Sequence, residues 1–266
     1  MTLNELFQKL WDDYSSINKQ AHAIHALLEK QGERVINDHI AFRTYDIPKV
    51  NIDVIARPFI KFGYQQKKEY QFPEKKFFAF HYEHKDISLP KIFISALKVK
   101  EFSPDIQSII DNLVNQVPVD HTQRDDFVVS GILWKPISYE TYKKLQHASE
   151  YAAWLSVYGF RANHFTVFFN AFKKIKTLVD INQLLKNHGF KLNTSGGEIK
   201  GSPQEYLEQS STLADPIEVQ FADRKALIPG CYYEFARRYL LPNGKLFHGF
   251  VAPSADKIFE STDNKQ

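Results

Sequence analysis

Apolar positions in residues 3–31 recur at helical spacing: Leu3, Leu6, Phe7, Leu10, Trp11 and Tyr14, then Ile17, Ala21, Ile24 and Leu28. Two helices are expected, because Ser15, Ser16 and Asn18 interrupt the pattern, and Gly32 stands where a helix end is capped. The period then changes. Residues 37–44 read N-D-H-I-A-F-R-T, where Ile40, Phe42 and Thr44 suit a strand. Strand side chains alternate, so His39, Ala41 and Arg43 share the other face.

This order recurs. After D-H-I-A-F-R-T comes a span of helical potential, residues 50–62, and then Gly63-Tyr64. After N-H-F-T-V-F-F-N, from Asn163, comes a clearer helix over 175–188 and then Gly189-Phe190. His39 precedes Gly63 by 24 residues and His164 precedes Gly189 by 25. Pro58 is expected to break the first helix. Strand-like runs follow each Gly-aromatic pair: 76–82 and 91–96 in the first half, and 217–221, 231–237 and 245–250 in the second. Residues 103–160 read as mainly helical, with one helix opening at Ser138. The tail, 261–266, is expected to fray.

The fold expected is α+β: two pseudo-repeated βαβββ-like modules forming a cupped mixed sheet around a metal site, with flanking helices. The divisions are an N-terminal helical segment (1–32), a first module (33–102), a helical connection (103–158) and a second module (159–266), in one compact catalytic domain.

Composition narrows the partners. With 43% hydrophobic and 24% charged residues the chain is an ordered globular one. The net charge of +3, with no basic run, gives no case for nucleic acid. A single cysteine, Cys231, excludes an internal disulfide and fits a reducing compartment. No apolar run approaches the roughly 18–20 residues that span a bilayer, and the N-terminus lacks an apolar signal core. A soluble cytoplasmic protein is expected, of undetermined oligomeric state.

Two histidines at matched places in a repeat are a different matter from one. A lone strand histidine is ordinarily bonded to backbone, but a matched pair points to metal, for which neutral imidazole is the commonest ligand. The run C-Y-Y-E-F-A-R-R from Cys231 adds a carboxylate among apolar neighbours, where an unpaired charge is costly. Its alternation puts Tyr232, Glu234, Ala236 and Arg238 on one face, so the ordinary alternative is a Glu234–Arg238 pair. Two histidines and one carboxylate with open positions suit non-haem Fe(II) and oxygen chemistry. Arg43 can hold a carboxylate bidentately, or pair with Asp38 or Asp46. His81 and His84 read as a solvated edge, and residues 195–202 as a turn or flap with Glu198 an inferior ligand. Cys231 reads as a packed thiol.

The motifs N-D-H-I-A-F-R-T (37–44), A-S-E-Y-A-A-W (148–154), G-F-R-A-N-H-F-T (159–166) and Y-Y-E-F-A-R-R (232–238) resemble the DUF1338 proteins. These are relatives of the vicinal oxygen chelate superfamily and include 2-oxoadipate dioxygenase/decarboxylase. The resemblance spans roughly residues 35–255 and implies that His39, His164 and Glu234 bind Fe(II), while Arg43 binds the substrate carboxylate. The implied activity is oxidative decarboxylation of 2-oxoadipate to 2-hydroxyglutarate, with O2 as co-substrate. The decarboxylating members are expected to be longer than this chain. Zn(II) or Mn(II) with the same ligands, serving a hydrolase, lyase or isomerase, and a non-catalytic small-ligand module are the alternatives.

Overall fold

The first helix begins where the sequence supplies a cap. Thr2 accepts from the Glu5 backbone N–H, and the Glu5 carboxylate accepts from the Thr2 N–H at 2.7 Å, starting α1 (Leu3–Ile17). Asn18 closes it and α2 (Lys19–Lys30) follows directly, so the interruption falls where expected. The computed structural model describes residues 1–262.

The first half continues as β1 (Asn37–Tyr45), α3 (Ile52–Lys61), β2 (Gln65–Phe72), β3 (Phe77–Glu83) and β4 (Lys91–Leu97). Pro58 does not break α3. It lies inside the helix with its ring buried, among Ile52, Ile55, Ala56 and Phe59, so burial of that face offsets the one backbone bond proline forgoes. The helical middle is α4 (Pro104–Asn115), α5 (Val119–Thr122), α6 (Tyr139–Ala148) and α7 (Glu150–Tyr158). Ser149 separates the last two, and its hydroxyl accepts from the Ala152 N–H to cap α7. Gly159 then turns the chain at φ +67°. A Cβ there would lie 2.0 Å from the Gly131 carbonyl oxygen, so only glycine leads into the next strand.

That strand is β5 (Ala162–Phe168), followed by α8 (Leu178–Asn187), β6 (Lys200–Ser202), β7 (Leu207–Ser211), β8 (Pro216–Gln220), β9 (Lys225–Pro229), β10 (Tyr232–Arg238) and α9 (Ala252–Phe259). One curled eight-stranded sheet has the order β2-β3-β4-β1-β5-β10-β7-β6. The order is a mirror list about the β1–β5 junction. Each opening strand pairs parallel with its module's last strand, β1 with β4 and β5 with β10, and antiparallel pairs continue outward on both sides. The two modules are therefore real structural repeats around a pseudo-twofold axis.

Three strand expectations need correction. Residues 217–221 form a strand, but it pairs with β9 in a separate hairpin inserted between β7 and β10. The repeat leads one to expect a strand directly at Gly189-Phe190, but there only Leu192 makes a bridge, to Thr212. Residues 245–250 are not a strand either, because the Arg238 guanidinium takes the carbonyls of Phe247 and Gly249, which a strand partner would otherwise need. In the tail, Ser261 and Thr262 are buried rather than frayed, and residues 263–266 lie outside the described part.

Helices cover the outer face. Trp11 and Tyr14 of α1 pack on Phe165 at 5.2 and 4.9 Å, and Phe59 of α3 packs on Phe42 at 5.4 Å. Each fully buried side chain of this kind contributes roughly 1.5–3 kcal/mol. The inner face is covered by α7 and by α9, which reaches β2 on one side and β6 and β7 on the other. Among the described residues no helix is long and apolar enough to cross a membrane.

Candidate metal centre

Each opening strand carries a bulge one residue before its histidine. Asn37 pairs with Val167 and His39 with Thr166, which leaves Asp38 unpaired; Ala41 pairs with His164 and Phe42 with Ala162, which leaves Asn163 unpaired. The two bulged residues do the same thing. His39 Nδ1 donates to Asp38 Oδ1 at 2.9 Å, and His164 Nδ1 donates to Asn163 Oδ1 at 3.0 Å. With Nδ1 protonated, each ring turns the Nε2 lone pair inward, the form that binds metal. The [D/N]-H dipeptide seen twice in the sequence thus has a physical reason.

Glu234 arrives from β10, beside β5. His39, His164 and Glu234 offer ligand atoms that all lie within 4.8 Å of one another, and all three side chains are buried. The Nε2 atoms of His39 and His164 stand 3.8 and 3.3 Å from Glu234 Oε1 and Oε2. Gln209 Nε2 donates to Oε1 at 2.6 Å, while Oε2 is buried without a hydrogen bond. The Thr166 hydroxyl is 3.1 Å from His39 Nε2.

Burial dominates the electrostatics. It pushes the Glu234 carboxyl up to about 8, against the opposing Gln209 hydrogen bond. It lowers both imidazoles, His164 further because the charges of His39 and Arg43 add to it, whereas Asp38 partly offsets the effect on His39. Two neutral nitrogens and one carboxylate, whose Oε2 is buried without a hydrogen bond, fit a divalent cation, which would reverse the cost of ionising Glu234.

Arg238 does not pair with Glu234. It holds Asp38 through two bonds, and although burial would raise the Asp38 carboxyl, Arg238, Lys91 and the His39 hydrogen bond together keep it well below the ordinary range. Asp38 is therefore unavailable to Arg43.

Arg43 is 3% exposed, and its Nε and Nη1 have no hydrogen-bond partner. Tyr151, Trp154 and Phe259 surround the guanidinium with ring centroids 5.0, 5.1 and 5.9 Å away. Aromatic faces hold a cation in place without neutralising it. An orphaned buried donor costs roughly 1–3 kcal/mol, which an anionic ligand would recover.

Two cavities meet here. One of about 10 Å³ lies against the three donors, walled by Phe93, Phe250, Ala255, Ile258 and Phe259. The other, about 630 Å³, ends on Arg43 and Tyr151 and also touches Phe259. That ring lines both.

Other sequence candidates fall elsewhere. His81 is buried rather than on a wet edge, because β3 is an interior strand; Tyr70 and Glu83 flank its ring nitrogens at 3.0 Å each. Glu198 pairs with Lys186 at the surface, outside the three-donor group. Cys231 is a buried free thiol. Sequence reasoning missed Thr166, Gln209 and the phenylalanine wall. Asp38 and Asn163 were visible in the repeat, but as pattern and not as partners.

The chain is similar to several known proteins. The family described as 2-oxoadipate dioxygenase/decarboxylase matches residues 2–248. The chain belongs to that family. It is 36% identical to the rice plastid protein named 2-oxoadipate dioxygenase/decarboxylase, over 95% of this chain and 76% of that one. The solved hydroxyglutarate synthase of Oryza sativa, in complex with 2-oxoadipate, is 34% identical with a TM-score of 0.91, covering 98% of this chain and 92% of that one. The expected length difference is borne out against the full rice protein, and by the solved hydroxyglutarate synthase of Pseudomonas putida, of which this chain covers 62%. A Shewanella frigidimarina structure described as a hydrolase is 50% identical, with TM-score 0.89 over 94% and 97%. A glyoxalase-superfamily protein of Ralstonia eutropha, 20% identical at TM-score 0.72 over 93% and 85%, shares the fold.

Proposed function

We propose that the chain is an Fe(II)-dependent dioxygenase/decarboxylase that converts a 2-oxo dicarboxylic acid, 2-oxoadipate or a close analogue, to the 2-hydroxy acid one carbon shorter. The observation that carries the reading is the three-donor set, tautomers fixed, on the same inner sheet face as an unpaired Arg43. For 2-oxoadipate the C1–C2 bond breaks and C1 leaves as CO2. One atom of O2 completes the carboxylate at the former keto carbon and the other becomes the hydroxyl on the next carbon, giving 2-hydroxyglutarate with atoms balanced.

His39, His164 and Glu234 would hold the ion, which when bound supplies the redox chemistry and a chelation point for the 2-oxo acid. Arg43 would bind a substrate carboxylate through its two free donors, with charge-assisted bonds stronger than neutral ones. Phe93, Phe250 and Phe259 exclude water from the reacting atoms. The lone buried thiol fits a cytoplasmic setting, which we retain as part of the proposal.

The test is oxygen uptake by Fe(II)-loaded protein with 2-oxoadipate and a panel of 2-oxo acids, with the 2-hydroxy acid and CO2 measured. Uptake stoichiometric with product is expected. Metal and substrate bound with no oxygen consumed would sink the reading, and turnover without oxygen would favour the hydrolase reading attached to the Shewanella structure.

A further inference from the structure

The pseudo-twofold axis can be followed residue by residue. On β1 and β5, His39 pairs with Thr166 and His164 with Ala41, so His39 corresponds to His164 and Ala41 to Thr166. The last strand of each module then fixes the rest. On β4, Phe93 pairs with Ala41; on β10, Glu234 pairs with Thr166. Phe93 therefore occupies in the first module the position Glu234 occupies in the second. The symmetry of the backbone offers four inward positions around the axis, and the side chains use three as donors.

Phe93 is 3% exposed and lines the small cavity with the three donors. Its ring lies 4.9 Å from Phe250, which meets the His39 ring edge-on at 4.8 Å. Across β3 it faces His81, whose ring nitrogens are engaged by Tyr70 and Glu83, so no donor from that side replaces it.

We infer that Phe93 determines what the centre can take: by withholding a fourth protein ligand at the symmetry position of Glu234, it keeps the open side of the ion free for a chelating 2-oxo acid and a further small molecule together. This rests on the reading that the three donors hold a cation. With three protein ligands an octahedral ion keeps about three open positions, and a bidentate acid fills two of them. A fourth protein ligand leaves room for the acid or for oxygen, not for both.

The experiment introduces the missing donor. Phe93→Glu and Phe93→His are prepared beside Phe93→Leu, which removes the ring and adds no donor. Binding of Fe(II) and of Zn(II) alone is measured without oxygen by competition with a chelator. Either donor variant is expected to bind metal at least about tenfold more tightly than Phe93→Leu, and to lose oxygen uptake. Phe93→Leu is expected to keep wild-type metal affinity within about twofold, since it changes no ligand. If Phe93→Glu does not fold, Phe93→His, neutral when unmetallated, decides the matter. Donor variants that bind no tighter than Phe93→Leu overturn the inference while the wild-type protein still binds Fe(II) and consumes oxygen. Wild-type protein that does neither removes the underlying reading instead.

Discussion

Arg238 grips Asp38 from 200 residues away, Nε to Oδ2 at 2.6 Å and Nη2 to Oδ1 at 2.7 Å, and Asp38 in turn accepts from His39. The chain of contacts runs from the end of β10 through the bulge of β1 to the His39 imidazole in the three-donor group. A charged acceptor on Nδ1 raises the basicity of the other ring nitrogen.

Asp38→Asn should therefore weaken metal binding by about 10–100-fold. It also leaves Arg238 buried without its counter-charge, at a cost of roughly 3–5 kcal/mol. Chelator competition and urea unfolding read the two effects separately. Unchanged metal affinity in a folded variant would mean that Asp38 serves the fold alone.

Arg43→Met should separate stability from binding. The free protein should be no less stable, because the variant removes an orphaned buried cation while keeping an apolar stem in the aromatic cage. KM for 2-oxoadipate should rise by roughly 10–100-fold, the worth of charged hydrogen bonds of about 1.5–3 kcal/mol. Metal content should not change. A variant with unaltered KM would place the substrate carboxylate elsewhere.

Phe259→Ala would join the two cavities. It should cost about 3–5 kcal/mol, as large-to-small core changes do. It should also speed removal of bound metal by a chelator, since the ring that lines both cavities is gone. Stopped-flow chelation measures this, and an unchanged stripping rate would show that entry follows another path.

Lys200 carries a pH signature of its own. Burial lowers its ammonium to about 8, against the attraction of Glu234, Glu260 and Glu198, and its Nζ donates to the Asn193 carbonyl. The unfolded chain keeps that proton up to the ordinary value near 10.5. Between these limits the unfolded state binds more protons, so stability contributed by this group rises with pH. The wild-type chain should gain urea resistance relative to Lys200→Met between about pH 8 and pH 10. Parallel midpoints across that range would count against the shift.

Much of this was legible in one dimension. Helical spacing and the capping residues gave α1 and α2, alternation gave β1 and the faces of His39 and Arg43, and the repeated [D/N]-H gave the matched modules. The polar strand β7, L-E-Q-S-S, was illegible because Gln209, bonded to Glu234, and Ser211, bonded to Ser261, are buried polar side chains that blur the alternation marking a strand. Helix α9 drew no reading from the sequence although Ala255, Ile258 and Phe259 have helical spacing, since eight residues make a weak periodic signal.

The amino-acid order by itself determined the local shapes and which side chains share a face, because those depend on neighbours a few residues apart. Only the tertiary structure decided that Arg238 belongs to Asp38 and not to Glu234, that the β8–β9 hairpin stands outside the sheet, and that Phe93 mirrors Glu234. Each of these follows from which strands lie side by side. Adjacency of distant segments is set by packing the whole sheet at once, and periodicity along the chain does not encode it.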